Sequence, residues 1–161
     1  MSDDDVVALY ERTVDAVYRY ASRLCGHDRA AAEELVQDTY LQLVQLVRSG
    51  SPDVVDGGWL IVTCRSRFLD RLRSQRRREV REDAAVRLFP TAPDGPAEGD
   101  ATGDRLAALP ADQRAALVLR YVDDLSVPDV ARLLGRSVHA TESLLARGRA
   151  TLRARTAKED R

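Results

Sequence analysis

Residues 125–153, LSVPDVARLLGRSVHATESLLARGRATLR, carry the punctuation of two short helices joined by a tight glycine turn. Ser126 is placed to accept a hydrogen bond from the open amides of a starting helix, with Asp129 at capping-box spacing. Pro128 sits in the first turn, where no helical amide is lost. Val127, Val130, Ala131 and Leu134 recur at one helical face, and Gly135 supplies the left-handed backbone that closes the helix. Ser137 then caps a second helix. Its Val138, Thr141, Leu145, Gly148 and Leu152 point inward, while His139, Glu142, Ser143, Ala146, Arg149 and Arg153 lie outside. A helix held in this way fits the major groove of duplex DNA, although an arginine-rich outer face on a helical pair is also common on proteins that bind nothing. The context decides between the two.

The net charge of −1 argues against nucleic acid until it is split along the chain. Residues 1–64 hold five arginines against eleven acids, and residues 65–81 hold eight arginines against two. Residues 82–104 return to one arginine against six acids, and residues 132–155 rise to six arginines against one. Two basic blocks are therefore separated by an acidic one. That acidic stretch, EDAAVRLFPTAPDGPAEGDATGD, is rich in proline and glycine, lacks the apolar mass for a core, and reads as a flexible linker over 81–104. It divides the chain into domains at 4–80 and 105–156.

Both domains read as helical, and no alternating strand pattern appears, so the fold class is all-α: an N-terminal helical bundle and a C-terminal helix-turn-helix domain. Val6, Tyr10, Thr13, Val14, Val17, Ala21 and Leu24 form a stripe that stops at Gly26. Asp28 caps a second helix with Ala32, Leu35, Val36, Thr39, Leu43, Leu46 and Val47 on one face, ended by Ser49 and Gly50. A third helix runs from Trp59 to about Arg78, with Trp59, Val62, Leu69 and Leu72 inward and Arg67, Arg71, Ser74, Gln75 and Arg78 outward. In the second domain Leu106 and Leu109 precede a helix begun at Pro110, with Ala111, Ala115, Val118, Leu119 and Val122 on one face. Asp123 and Asp124 turn the chain into the helix-turn-helix.

Cys25 and Cys64 lack the paired spacing of a zinc site or a redox motif and are expected as buried, reduced thiols, with no metal and no cofactor. The acidic start, MSDDDVV, and the lack of a long apolar run predict a cytoplasmic chain without membrane insertion.

Four segments taken in order resemble the extracytoplasmic-function (ECF) class of the sigma-70 family, the bacterial factors that direct RNA polymerase to promoters. They are DAVYRYASRLCG (residues 15–26), AAEELVQDTYLQL (31–43), WLIVTCRSRFLDRLRSQRRR (59–78) and the run from LPADQRAALVLRYVDD through ATLR (109–153). The resemblance implies that the second helix docks on core RNA polymerase through Glu33, Glu34, Gln37, Asp38 and Gln42; an acidic face suits a basic partner. It implies that the third helix and residues 51–58 before it capture the opened minus-10 strand of promoter DNA. There Arg65, Ser66, Arg67, Arg71, Arg73, Arg76, Arg77 and Arg78 supply the helix contacts, charge above all, and the loop supplies the base pocket. Trp59, on the apolar stripe, is expected in the core rather than as a stacking platform. The helix-turn-helix then resembles the minus-35 reader, with Arg136, Ser137, His139, Thr141, Glu142, Ser143, Arg147 and Arg149 as its contacts. An anti-sigma factor is a further partner that the resemblance allows. The chain departs from the pattern at Ser66, where the family often has Asn, and at the SPDVVDGG loop, which replaces an aromatic-rich one.

The rival readings are a transcriptional regulator with a LuxR-like helix-turn-helix and an enzyme. The first domain has its own basic helix and no ligand or phosphoacceptor pattern, and the chain has no phosphate loop, nucleophile elbow or metal-ligand spacing. The expected protein is therefore a specificity factor without catalytic residues.

Overall fold

The computed structural model describes residues 1–50, 55–82 and 105–159. Among them every regular element is helical: α1 (Asp3–Cys25), α2 (Arg29–Arg48), α3 (Gly57–Glu82), α4 (Ala111–Leu117), α5 (Val127–Leu134) and α6 (Val138–Glu159). A π-helical segment, Val118–Val122, continues α4. The all-α class is borne out. α3 runs to Glu82, over the first residues expected to be linker; the rest of that linker, 83–104, and residues 51–54 of the expected base pocket lie outside the described residues. No helix among the described residues is long and apolar enough to cross a membrane.

Local chemistry places the ends. Ser2 and Asp5 form a capping box that opens α1, and the Ser2 amide and hydroxyl hold the Asp5 carboxyl below its ordinary value. Asp28 accepts the Ala31 amide at 3.0 Å to open α2, and Asp56 accepts the Trp59 amide at 2.9 Å to open α3. Ser126 and Asp129 form the expected cap of α5, Gly135 closes it at φ 63°, and Ser137 accepts the Ala140 amide at the start of α6.

α1, α2 and α3 pack as a three-helix bundle around Val17, Leu24, Leu35, Leu43 and Leu60, while α4, α5 and α6 enclose Leu119, Val130, Leu134 and Leu145. The two cores join into one apolar cluster through contacts of α1 with α4 and of α3 with α5. Four expected inward positions, Tyr10, Val62, Val122 and Val138, are corrected. Val62 is exposed, because the buried row of α3 is Leu60, Cys64, Phe68 and Leu72, every fourth residue, and Val62 lies across the helix from it. Val122 is exposed because the π-helical turn, in which the Asp123 amide reaches back to the Val118 carbonyl, shifts the register after Leu119. Val138 opens α6 on its solvent side, and Leu144 takes the unforeseen core position. Trp59 is partly buried and packs against the core, and Tyr10, though edge-on to Tyr40, is exposed.

Gly26 has two duties. It closes α1 at φ 63°, and a Cβ there would fall 2.4 Å from an Arg114 terminal nitrogen. Arg114 fills that space, donating to the Leu24 and Leu109 carbonyls at 2.8 and 3.0 Å. Gly135 has the same φ but open space around it. Gly135→Ala should therefore cost about 1–2 kcal/mol for left-handed backbone alone, and Gly26→Ala more, because Arg114 must also move. Thermal melts of the two variants check this; equal losses would contradict it.

Burial pushes the Cys25 thiol up to about 11 and the Cys64 thiol to about 12, from 9.0. Because the folded values lie above the unfolded one, the stability these thiols contribute is present below pH 9 and lost as pH rises towards 11 to 12. At pH 8 an alkylating reagent should label the native chain slowly and the urea-unfolded chain fast. Equal rates would show that the thiols are not enclosed.

Candidate nucleic-acid interface

The outer face of α6 is set by what its inner face buries. Thr141, Leu144, Leu145 and Gly148 face the core, and Gly148 lets α6 approach Leu117 so closely that a Cβ would lie 2.9 Å from its side chain. Consequently His139, Glu142, Ala146 and Arg147 are exposed along the opposite side, with Ser143 and Arg149 at its edges. Arg149 donates to the Tyr121 hydroxyl at 3.0 Å, and Tyr121, also exposed, lies beneath the Arg120 guanidinium at 5.6 Å. Tyr121 was not foreseen as part of this face. It reaches α6 from the π-helical segment, whose wider turn the periodicity of the sequence does not reveal.

Two of the expected contacts on this helix-turn-helix are corrected in position. Thr141 is fully buried and its hydroxyl donates to the Ser137 carbonyl at 2.9 Å, so it holds the first turn of α6 and has no surface to offer. Arg136, in the turn, is only partly exposed and donates to Asp112 at 2.5 Å. Ser137 is exposed, with its hydroxyl engaged as the cap.

The arginines of α3 do not form one open stripe. Arg65 donates to Asp123 at 3.3 Å and is mostly buried, and the Tyr20 hydroxyl donates to the same carboxylate oxygen at 2.8 Å. Burial, followed by the Asp123 charge, raises the Tyr20 phenol far above its ordinary value, so it stays protonated and donating. Arg73 donates to the Leu133 carbonyl at 2.6 Å, and Arg76 to the Leu134 carbonyl at 2.9 Å and to Asp112 at 2.5 Å. Ser66 is exposed with its hydroxyl on the Val62 carbonyl, and Arg77 and Arg78 reach solvent.

On the side of α3 towards α2, Arg67 donates to Gln42, and Arg71 bridges Asp38 at 2.5 Å and Glu34 at 3.5 Å. The expected polymerase face and part of the expected strand-binding charge thus meet along one groove between α2 and α3. Glu33 pairs with Arg29 one turn away at 2.8 Å, and Gln37 is exposed. Asp112, Asp123 and Tyr20 were missing from the expected set; each pairs with a residue far away in sequence, which spacing cannot show. Among the described residues no group of three or more His, Cys, Asp or Glu could hold a metal ion.

Comparison with known proteins gives this arrangement its context. Residues 9–78 match the family model of sigma-70 region 2, and residues 100–152 match that of sigma-70 region 4. The chain is 33% identical to the ECF RNA polymerase sigma factor EcfG of Rhodopseudomonas palustris, over 94% of this chain and 82% of that protein. It is 32% identical to the ECF RNA polymerase sigma factor SigE of Mycolicibacterium smegmatis, over 93% of this chain and 61% of that protein. It thus spans about three-fifths of that relative's length. Among solved structures, the sigma factor RpoE of Bartonella quintana, crystallised with the anti-sigma factor NepR, aligns at a TM-score of 0.54 and 28% identity, over 98% of this chain and 99% of that one. Two sigma-70 regions in order, on a helical frame shared with a solved sigma factor and beside relatives of this identity, make the chain a member of the ECF sigma factors of the sigma-70 family.

Proposed function

We propose that the chain is a transcription initiation factor that binds core RNA polymerase and directs it to specific promoters, acting in the cytoplasm without catalysing a reaction. The observation that carries this reading is the pairing, on one chain, of a region 2 match at 9–78 with a helix-turn-helix region 4 match at 100–152. A LuxR-like regulator would need a sensor where the region 2 match lies.

In this reading the two domains are 4–80 and 105–156, with α3 carrying the first on to Glu82 and the linker falling at 83–104. α6 enters the major groove at the minus-35 element. His139, Glu142 and Ser143 near its start face base edges, and Arg147 and Arg149 face phosphates. Arg136 joins them only after leaving Asp112. The minus-10 strand runs along α3, where Ser66, Arg77 and Arg78 are exposed and Arg65, Arg67, Arg71, Arg73 and Arg76 must first exchange their partners within the protein for phosphate. Glu33, Glu34, Gln37, Asp38 and Gln42 form the polymerase face. An anti-sigma protein is a partner by analogy with the Bartonella quintana sigma factor, which was crystallised with one.

Pull-down of core polymerase followed by runoff transcription tests the reading. A chain that binds a duplex site tightly alone and never engages polymerase would end it. In the polymerase-bound factor, Arg149→Ala should weaken upstream duplex binding and lower the slope of log affinity against log salt by about 1. Arg77→Ala with Arg78→Ala should impair strand opening, read by permanganate footprinting, with upstream binding spared. Thr141→Val should lower the melting temperature without changing which promoters fire. Loss of both DNA steps in both arginine variants, or a promoter switch in Thr141→Val, would contradict this division.

A further inference from the structure

The π-helical segment that continues α4 buries Val118 and Leu119 but turns Tyr121 and Val122 outward, 57% and 45% exposed. Its wide turn sets the Asp123 amide against the Val118 carbonyl, five residues back, at 3.1 Å. Turns of this kind frequently sit at functional sites. Here the turn delivers Tyr121 to α6. The Tyr121 hydroxyl accepts from Arg149 Nη1 at 3.0 Å, and the Arg120 guanidinium lies over the ring at 5.6 Å. Arg120 is itself fixed, donating to the Leu125 carbonyl at 3.2 Å with Asp124 beside it at 3.8 Å. The contact also needs α6 close to α4. Gly148, the residue before Arg149, provides that closeness, since a Cβ there would fall 2.9 Å from the Leu117 side chain.

We infer that Tyr121 is a positioning residue for Arg149, fixing its guanidinium on the outer edge of α6 where it meets a DNA phosphate. This rests on the reading of α6 as the minus-35 helix.

The chemistry of the partner carries the inference. Arginine has five N–H donors and a permanent charge. A carboxylate would hold it but cancel the charge that attracts phosphate, as Asp112 does for Arg136 in the same helix-turn-helix. A phenol oxygen is uncharged, so it takes one donor and leaves the charge and the other donors for a ligand. Order matters as well. An arginine free to sample its rotamers loses that freedom on binding, and one already held loses less. With Arg120 on its face and Arg149 at its hydroxyl, one uncharged side chain gathers two cations at this edge of α6, and their summed potential favours a phosphate there.

The test combines Tyr121→Phe, which removes the acceptor and keeps the ring, with Arg149→Ala in a double-mutant cycle. The full chain is bound to core polymerase, and the ligand is a labelled upstream duplex from a promoter that fires in runoff transcription. Tyr121→Phe should weaken duplex binding about threefold to fivefold, the effect of one hydrogen bond. In the Arg149→Ala background the same substitution should have no further effect. The melting temperature of Tyr121→Phe should match wild type, because the hydroxyl is at the surface. In the free chain, nitrogen-15 NMR should show an ordered Arg149 guanidinium in wild type and a mobile one in Tyr121→Phe.

Unchanged duplex affinity in Tyr121→Phe would overturn the assignment, and so would an equal loss with and without the Arg149 side chain, which would mean that Tyr121 acts alone or through the fold. An Arg149 guanidinium as mobile in wild type as in Tyr121→Phe would overturn it too. Failure of the wild-type chain to bind polymerase or the duplex would instead remove the proposed function, and the DNA role of Tyr121 with it, leaving the NMR comparison to stand alone.

Discussion

Eight arginines within residues 65–81 impose the central constraint on this molecule. A helix with that much charge packs into a bundle only if the guanidiniums meet anions or carbonyls, because an enclosed charge without a partner is strongly destabilising. α3 meets the demand in three directions. Towards α2 it meets Glu34, Asp38 and Gln42; towards the second domain it meets Asp112, Asp123 and the end of α5; at its far end Arg77 and Arg78 stay in water. The position of the helix-turn-helix relative to the bundle follows from the second of these. Its turn lies where Arg73 and Arg76 find carbonyls that α5 leaves unpaired.

How much of this was legible in the sequence depended on how local the cause was. Caps and stops are decided within four residues, so Ser126, Gly135, Ser137, Asp28 and Gly26 were read correctly as helix boundaries. Apolar stripes were legible where the helix is regular, as in α2. They failed at Val122, where a π-helical turn breaks the 3.6-residue period, and at Val62, where α3 is buried on two sides and two stripes compete. Thr141 appeared in the sequence both as an inward residue and as a DNA contact; only packing decides that it faces Ser137 and the core.

The seam between the two domains was the part the sequence withheld. Asp112 and Asp123 looked like an acid in a first helical turn and a chain-turning residue, and both descriptions are correct locally. Their partners across the linker, Arg76, Arg65 and Tyr20, lie 36, 58 and 103 residues away, and no spacing rule reaches that far. The charge blocks did hint at it. A basic block of +6 on a chain of net −1 must be answered by acids somewhere, but the sequence does not say whether the answer comes from α2, the linker or the second domain.

The chemistry of the seam also explains why charge, rather than more apolar surface, suits a factor of this kind. Two domains joined by a large hydrophobic interface behave as one body, whereas smaller polar interfaces permit relative motion. Buried ion pairs add little net stability over apolar packing of the same volume, yet they resist mismatched partners and yield to stronger anions. In the function proposed for this chain, α3 and α6 meet different stretches of one promoter, which requires some freedom between the two domains. An apolar seam would oppose that freedom at any ionic strength and in any company. The seam of this chain combines the apolar contacts that join the two cores with the ion pairs of Asp112 and Asp123, and only the ion-paired part weakens where a competing polyanion or salt is offered to those arginines.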